Sequence, residues 1–156
     1  MRVGEICRRA AVAISNEVDI VDAAKLMREK HVGFLVVVKH ADKLRRPIGV
    51  LTDRDIVLQV TARDINPRAV TVEDVMTRQP LTASEGDDLG EVLQAMRLAG
   101  IRRVPVVDAR GSLLGVVAID DAVDHVTSLL TDITGSITNE QRREWRVRPA
   151  TDSPPA

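Results

Sequence analysis

Apolar residues follow one order of spacings in the first half of the chain, and the second half repeats that order. Each half contains a stretch with apolar positions at helical spacing, which predicts an amphipathic helix. A short helical turn and a short strand precede this stretch, and two longer β-branched runs that predict strands follow it. A further helix is expected after the second of these strands. The first half places these elements at 3–7, 12–14, 20–27, 34–38, 47–52 and from 53, and the second half at 72–76, 81–83, 89–96, 104–107, 113–118 and from 120.

Aligning the chain with itself supports this duplication. Placing Met27 on Met96 requires a shift of 69 residues, and beyond a longer charged loop in the first copy a shift of 66 places Gly49 on Gly115. One copy alone has a single apolar surface to hide, whereas two facing copies bury that surface against each other. The sequence therefore predicts an α/β (α+β) fold in which two β-α-β-β-α repeats form a pseudo-twofold pair.

The chain divides into four predicted parts. Asn66-Pro67 is a turn signal between the two copies. The last helix is expected to run through Leu129 and Leu130, because the chain turns polar after Gly135. The proline-rich end is expected to be partly disordered. The parts are a first repeat at 1–62, a linker at 63–71, a second repeat at 72–131 and a polar tail at 132–156.

Composition excludes several classes of function. The formal net charge is −1 and aromatic residues make up 1% of the chain, so neither a basic field nor a stacking platform for nucleic acid is expected. No apolar run is long enough to span a bilayer. Cys7 is the only cysteine, which excludes an intrachain disulfide. We therefore expect a cytoplasmic protein that contacts neither nucleic acid nor membrane.

Two stretches carry a family resemblance. The first runs from Gly49 to Ile56 (GVLTDRDI) and the second from Gly100 to Asp108 (GIRRVPVVD). Inside the duplicated framework they resemble the signatures of a pair of CBS domains, over about residues 1–131. The resemblance implies a module that binds an adenine nucleotide between its two repeats. It also implies a homodimer that forms through the helices near 55–60 and 122–130.

The residues at the first signature suit a nucleotide. Thr52 ends a strand where a helix begins, so its hydroxyl and the free N–H groups of the helix start can bond a phosphate. The carboxylate of Asp55 can accept the hydroxyls of a ribose, and Arg54 adds positive charge. Aliphatic side chains are expected to enclose the adenine, namely those of Val12, Ile14, Val36, Ile48 and Val50.

The two copies are unequal at this place. Ala118 stands where the first copy has Thr52, although Asp121 is retained at the position of Asp55. The second copy instead has Arg102 and Arg103, and the resemblance implies that such residues contact phosphates through their planar fork of donors. One good site is therefore expected at Thr52, with help from Arg102 or Arg103, and a weaker or empty site at Asp121.

Each of these residues also has a structural interpretation. Thr52 and Asp55 could simply cap the following helix. Arg102 and Arg103 could form a charged strand edge that discourages aggregation. Asp53 with Asp55 is too weak a pattern for a metal site, and no resident metal is expected.

We find no catalytic motif in the sequence and expect no enzyme. The favoured function is an adenine-nucleotide sensor for AMP, ADP, ATP or another adenosyl ligand, which acts on an unknown protein target by changing shape or affinity. No tightly bound cofactor is expected, and Mg²⁺ would arrive only with ATP. The alternatives are a dimerising scaffold that binds no ligand and a slow nucleotide hydrolase.

Overall fold

The computed structural model describes residues 1–39 and 43–147. Two compact units make up the chain, Met1–Ile119 and the part from Asp120 onward. In the first copy the helices and strands are α1 (Val3–Ile6), β1 (Ala13–Ser15), α2 (Ile20–Lys30), β2 (Phe34–Val38), β3 (Pro47–Thr52) and α3 (Asp53–Gln59). In the second copy they are α4 (Val72–Val75), β4 (Thr77–Arg78), β5 (Ala83–Ser84), α5 (Leu89–Ala99), β6 (Arg103–Val107), β7 (Leu113–Ala118) and α6 (Ile119–Val147).

The mixed α/β class and the duplicated order are confirmed. β2, β3 and β7 have the predicted bounds, and the other predicted strands begin or end within two residues of expectation. Two elements escaped prediction, namely the strand β4 and a 3₁₀ turn at Thr61–Arg63. Each has only two or three residues, which is too short to show a period.

The two copies build their sheets by the same rule. β1 pairs with β2 in parallel and β2 pairs with β3 antiparallel, and β5, β6 and β7 repeat this pattern. The parallel pair requires a crossover, which α2 and α5 provide. Even the register irregularity recurs, between Val37 and Val38 in one sheet and between Val106 and Val107 in the other. The duplication seen in the sequence is therefore a duplication of backbone geometry.

The core of the first copy lies between α2 and one face of its sheet. Asp19 caps α2 by accepting a hydrogen bond from the backbone N–H of Asp22, and His31 ends the helix in the left-handed conformation. The apolar stripe of α2 then packs on alternate strand residues. The buried members of this core are Ile14, Ile20, Ala23, Met27, Leu35, Val37, Leu51, Val60, Val72 and Met76.

Two members of that core come from the second copy. Val72 lies in α4 and Met76 directly follows it, and β4 then pairs with β3 of the first copy. The first copy likewise contributes to the sheet of the second, because Arg8 forms an antiparallel bridge with Val116 of β7. Backbone bonds hold both ends, including Gly4 N–H to Glu85 O (2.9 Å). Each copy therefore lends its first segment to the sheet of the other.

Gly49 and Gly115 permit this exchange. A Cβ atom at Gly49 would meet the Met76 sulfur, and one at Gly115 would meet the Arg8 carbonyl oxygen. Both glycines are thus explained by the close approach of another segment of the chain.

The last helix is longer than predicted. α6 runs unbroken to Val147, although its end was expected near residue 131. Gly135 lies inside it, since a glycine in a helix interior costs only about 1 kcal/mol relative to alanine. The polar stretch that follows contains good helix formers such as glutamate, glutamine and arginine. The remainder of the predicted tail, 148–156, lies outside the described residues.

Among the helices of the described chain, none is both long and apolar enough to cross a membrane.

Candidate functional site

The corner between β3 and α3 contains the first group of candidate residues. Thr52 is the N-cap of α3, and its hydroxyl oxygen accepts a hydrogen bond from the Asp55 N–H at 3.1 Å. Oδ2 of Asp55 in turn accepts from the Thr52 N–H at 2.8 Å and from the Thr52 hydroxyl at 2.7 Å. The structural interpretation of both residues is therefore correct, because they form a reciprocal capping box. Oδ1 of Asp55 takes no part in this box.

One face of the first sheet leads up to this corner. Thr52 lies opposite Phe34, and the next pair on the same face is Val50 opposite Val36. Ala13 of β1 pairs with Val36 from the other side. Val36 is fully buried, whereas Val50, Thr52 and Phe34 are half-buried. The face thus carries aliphatic side chains up to the hydroxyl and the carboxylate, with Val50 partly exposed and Val36 covered.

The five aliphatic residues that were expected to enclose the adenine do not all lie on this face. Ile14 lies in the core under α2, and Val12 and Ile48 pack against that core. Successive strand residues point to opposite faces, and Ile14 pairs with the core residue Val37. The structure therefore groups Val36 and Val50 with Thr52 and places Val12, Ile14 and Ile48 in or against the core.

Sequence reasoning underrated Asp53. Its carboxylate lies against Gly33, where an added Cβ would come within 2.9 Å of the carboxylate carbon, and it accepts from the Arg54 N–H at 2.8 Å. The exposed side chain of Arg54 is thus followed and preceded by carboxylates. The signal for this contact is Gly33, which lies opposite the start of α3 only in the folded chain.

Arg102 and Arg103 lie at the matching corner of the second copy. The carbonyl oxygen of Arg102 accepts from the Ile119 N–H at 2.9 Å, as Gly33 accepts from the Asp53 N–H at 3.1 Å. Arg103 pairs with Ala118, the counterpart of Thr52. Both arginines are exposed.

Asp121 lies in the first turn of α6, in the second unit, and is buried.

A second capping box outside the site has the same two bonds to its carboxylate. Oδ2 of Asp74 accepts from the N–H and the hydroxyl of Thr71, each at 2.8 Å. These bonds, chiefly the one from the backbone N–H, hold the pKa of Asp74 below its ordinary value. The box begins α4, at the start of the exchanged segment. It provides a structural twin of the Thr52–Asp55 pair.

The sequence model of the CBS domain family matches residues 3–62 and 72–128, which together make up most of the chain. The chain belongs to the CBS domain family. An uncharacterised protein of Methanopyrus kandleri is 37% identical over 84% of this CBS pair, which spans 65% of that relative. An inosine-5'-monophosphate dehydrogenase of Thermoplasma acidophilum is 32% identical over 74% of the pair, but the match covers only 21% of that enzyme.

Solved CBS structures share the fold. A CBS domain protein of Pyrobaculum aerophilum, complexed with AMP, is 27% identical with a TM-score of 0.71, over 78% of this pair and 89% of that chain. The CBS domain pair of protein MJ0100, in complex with 5-methylthioadenosine and S-adenosyl-L-methionine, is 26% identical with a TM-score of 0.71, over 81% and 99% of the two chains.

Proposed function

We propose that this CBS pair is a regulatory module that binds an adenine nucleotide, or another adenosyl ligand, at the Thr52–Asp55 corner. The observation that carries the proposal is the placement of both residues at the end of an aliphatic sheet face. The CBS structures that contain AMP, or 5-methylthioadenosine and S-adenosyl-L-methionine, support the class of ligand. AMP, ADP and ATP are the first candidates, and Mg²⁺ would accompany only ATP.

Each group at the corner has a proposed role. Oδ1 of Asp55 lies outside the capping box and would accept a ribose hydroxyl. The half-buried Val50 would line the adenine side with the fully buried Val36 behind it, and Val12, Ile14 and Ile48 would support that wall from the core. Arg54 would approach a phosphate, because the proton of the Thr52 hydroxyl and the N–H groups of Arg54 and Asp55, which were expected to bond it, are already donated within the corner.

The second corner is proposed as the lesser site. Ala118 replaces the hydroxyl of Thr52, so one polar contact is lost. Arg102 and Arg103 lie at that corner and would bring positive charge to a phosphate there or at the Thr52 corner. Asp121, which belongs to the second unit, is proposed by itself as the weaker position, for a ligand with less phosphate.

The sharpest test exploits the two matched capping boxes. Asp55→Asn and Asp74→Asn make the same change in the two boxes, a neutral amide for a carboxylate, so both should weaken the start of their helix to a similar extent. Isothermal titration with AMP and ATP should show at least a tenfold loss of affinity for Asp55→Asn and none for Asp74→Asn. Equal affinity in all three proteins would refute binding at Asp55. Asp121→Ala should weaken binding less than Asp55→Ala does.

A scaffold without a ligand is the second candidate, favoured by the capping bonds that already occupy Thr52 and Asp55. Thermal-shift measurements with AMP, ADP, ATP, NAD and S-adenosylmethionine separate the two, since a scaffold shows no shift with any of them. We propose no catalysis. Finding ADP or AMP after incubation with ATP would contradict that.

A homodimer through the CBS helices and an unidentified protein target complete the proposal. Val57 and Leu58 of α3 are exposed and available for such a contact. Val60 was expected there too, but it is 2% exposed and belongs to the core of the first copy. The cytoplasm remains the proposed compartment, because a chain with one cysteine cannot form the intrachain disulfides that are typical of proteins in oxidising compartments.

A further inference from the structure

Positive charge is concentrated at the end of the first sheet where β2 leads into β3. Residues 39–46 include four lysines and arginines and one carboxylate, Asp42, although the net charge of the chain is −1. The matching turn of the second copy, at 108–112, adds one arginine and one carboxylate. We call the five exposed cationic side chains of these two segments the basic end; they are Lys39, Lys43, Arg45, Arg46 and Arg110.

The described part of the loop between β2 and β3 is fastened to the second copy. The Ser112 hydroxyl donates to the Leu44 carbonyl oxygen at 2.6 Å, and the Leu113 N–H donates to the Arg45 carbonyl oxygen at 3.4 Å. Leu44 is half-buried, whereas Arg45 is exposed. A backbone that is already held loses less conformational entropy when a partner binds, so its side chains dock a partner at a lower cost than those of a free loop.

Cationic side chains from both copies meet along this contact. The side chain of Arg46 lies beside Gly111, with its Cδ atom 3.8 Å from the position of an added Cβ there, and Arg110 directly precedes that glycine. Lys39 follows the last residue of β2 and Arg46 precedes the first residue of β3, and these two strand residues are paired. Lys39 and Arg46 therefore flank the open end of the hairpin from its two strands.

The carboxylates of the two segments do not cancel this charge. Oδ1 of Asp108 accepts hydrogen bonds from the backbone N–H groups of Arg110 and Ser112, each at 2.8 Å, and so shapes the turn. With Asp42 counted as well, two carboxylates accompany five cations. Like charges that are held together on a surface repel one another, and an anionic partner relieves that repulsion.

Carboxylates are the anions that suit the basic end best. Arginine binds a carboxylate through two parallel N–H donors, and three of the five cations are arginines. Segments 39–46 and 108–112 contain no aromatic residue on which nucleic-acid bases could stack. The large apolar residue of the loop, Leu44, is half-buried, which leaves little apolar surface to insert into a membrane. These features favour an acidic segment of a protein.

We propose that the basic end docks an acidic segment, rich in aspartate and glutamate, of the protein target. Complementary charge across such a contact would speed the encounter and exclude partners that carry positive charge. The inference rests on the proposed function for the existence of a target, and it adds where that target binds and by which chemistry.

The basic end is separate from the nucleotide corner. Phe34 at the start of β2 pairs with Thr52, whereas Val38 at its end pairs with Pro47, next to Arg46. Four residue steps along a strand separate these two pairs by roughly 13 Å. Docking is therefore expected without nucleotide, and loss of one activity should leave the other in place.

The first experiment titrates the full chain with a fluorescein-labelled polyglutamate peptide and measures fluorescence anisotropy. Lys43→Glu with Arg45→Glu reverses two charges of the basic end, and Arg28→Glu with Arg97→Glu makes the same change at repeat-related exposed positions of α2 and α5. The affinity should fall at least tenfold in the first variant and less than threefold in the control. Absence of binding by the wild type, or an equal loss in both variants, would overturn the proposal.

A charge-retaining variant separates the effect of charge from damage to the loop. Lys43→Arg with Arg45→Lys keeps both positive charges, so it should bind the peptide about as tightly as the wild type does. A loss equal to that of the charge-reversed variant would show that the shape of the loop matters instead of its charge, which contradicts the proposal.

Two further titrations separate the other outcomes. A single-stranded RNA and vesicles that contain phosphatidylserine replace the peptide, and tighter binding of either through the basic end would refute an acidic peptide as the occupant. AMP titration of Lys43→Glu with Arg45→Glu should give the wild-type affinity, and a loss would assign these residues to the nucleotide site instead. If the wild type binds no AMP, the nucleotide proposal fails, while the peptide titration still decides the role of the basic end.

Discussion

At Gly49 and Gly115 the absence of a side chain decides whether one copy can reach the sheet of the other. The two positions are equivalent in the repeat, but their neighbours differ in stiffness. The atom nearest to Gly49 is the sulfur of Met76, on a flexible side chain, whereas the atom nearest to Gly115 is the backbone carbonyl oxygen of Arg8. A methyl group at Gly115 must therefore displace backbone, which is the costlier change.

We accordingly expect Gly115→Ala to lower the unfolding free energy by about 2–3 kcal/mol, and Gly49→Ala to lower it by about 1–2 kcal/mol. Gly135→Ala is the control, because nothing lies within 4 Å of an added Cβ there. It should stabilise α6 by up to about 1 kcal/mol. Urea unfolding followed by circular dichroism measures all three. A Gly115→Ala protein as stable as the wild type would refute the role of the close approach.

Among the elements, the helix starts depend on carboxylates. Asp88 accepts from the N–H groups of Glu91 and Gly90 at the start of α5, and these bonds, chiefly that of Glu91, lower its pKa. The pKa of Asp74 is lowered by the hydrogen bonds from the backbone N–H and the hydroxyl of Thr71. The pKa of Glu73 is lowered mainly by the hydrogen bond from the Asn16 side chain, at 2.7 Å, and to a lesser extent by Arg78. All three groups therefore favour the folded state in their charged form.

Stability should consequently depend on pH in the acid range. Because these pKa values are lower in the folded than in the unfolded chain, their contribution is complete above the unfolded values, near pH 4–4.5. It is lost as the pH falls through the folded values below that range. We expect the melting temperature to fall between about pH 5 and about pH 2.5, and Asp74→Asn to show a smaller fall from a lower start. A melting temperature that stays constant or rises on acidification would contradict this.

In the unit Met1–Ile119, the exchange of first segments joins the two copies. Val72 and Met76 complete the core of the first copy, and Arg8 extends the sheet of the second. The linker between the copies adds backbone bonds of its own, such as Ile20 N–H to Val70 O at 3.2 Å. A separated first copy would lose part of its core and an edge strand of its sheet, which leaves unpaired backbone groups.

A bisected chain tests this dependence. Residues 1–64 expressed alone should lack a cooperative thermal transition, because the core then lacks Val72 and Met76. Mixing this fragment with residues 65–156 in equal amounts should restore a transition and most of the ellipticity. A cooperative melt of the fragment 1–64 by itself would show that the copies fold independently.

The sequence by itself determined the elements and their duplication. Spacing, caps and turn residues are local features, so they predicted the bounds of β2, β3 and β7 and the capping roles of Thr52 and Asp55. The matched glycines also followed from the repeat, although the neighbour that each admits did not.

Only the tertiary structure decided which residues meet. Ile14 and Val36 look alike along the chain, yet they lie on opposite faces, because strand alternation and pairing register assign each side chain to a face. Asp53 meets Gly33, and β4 joins the first sheet, through contacts between segments distant in sequence. No local pattern encodes such contacts: the first arises when β3 pairs with β2, and the second when the two copies exchange their first segments.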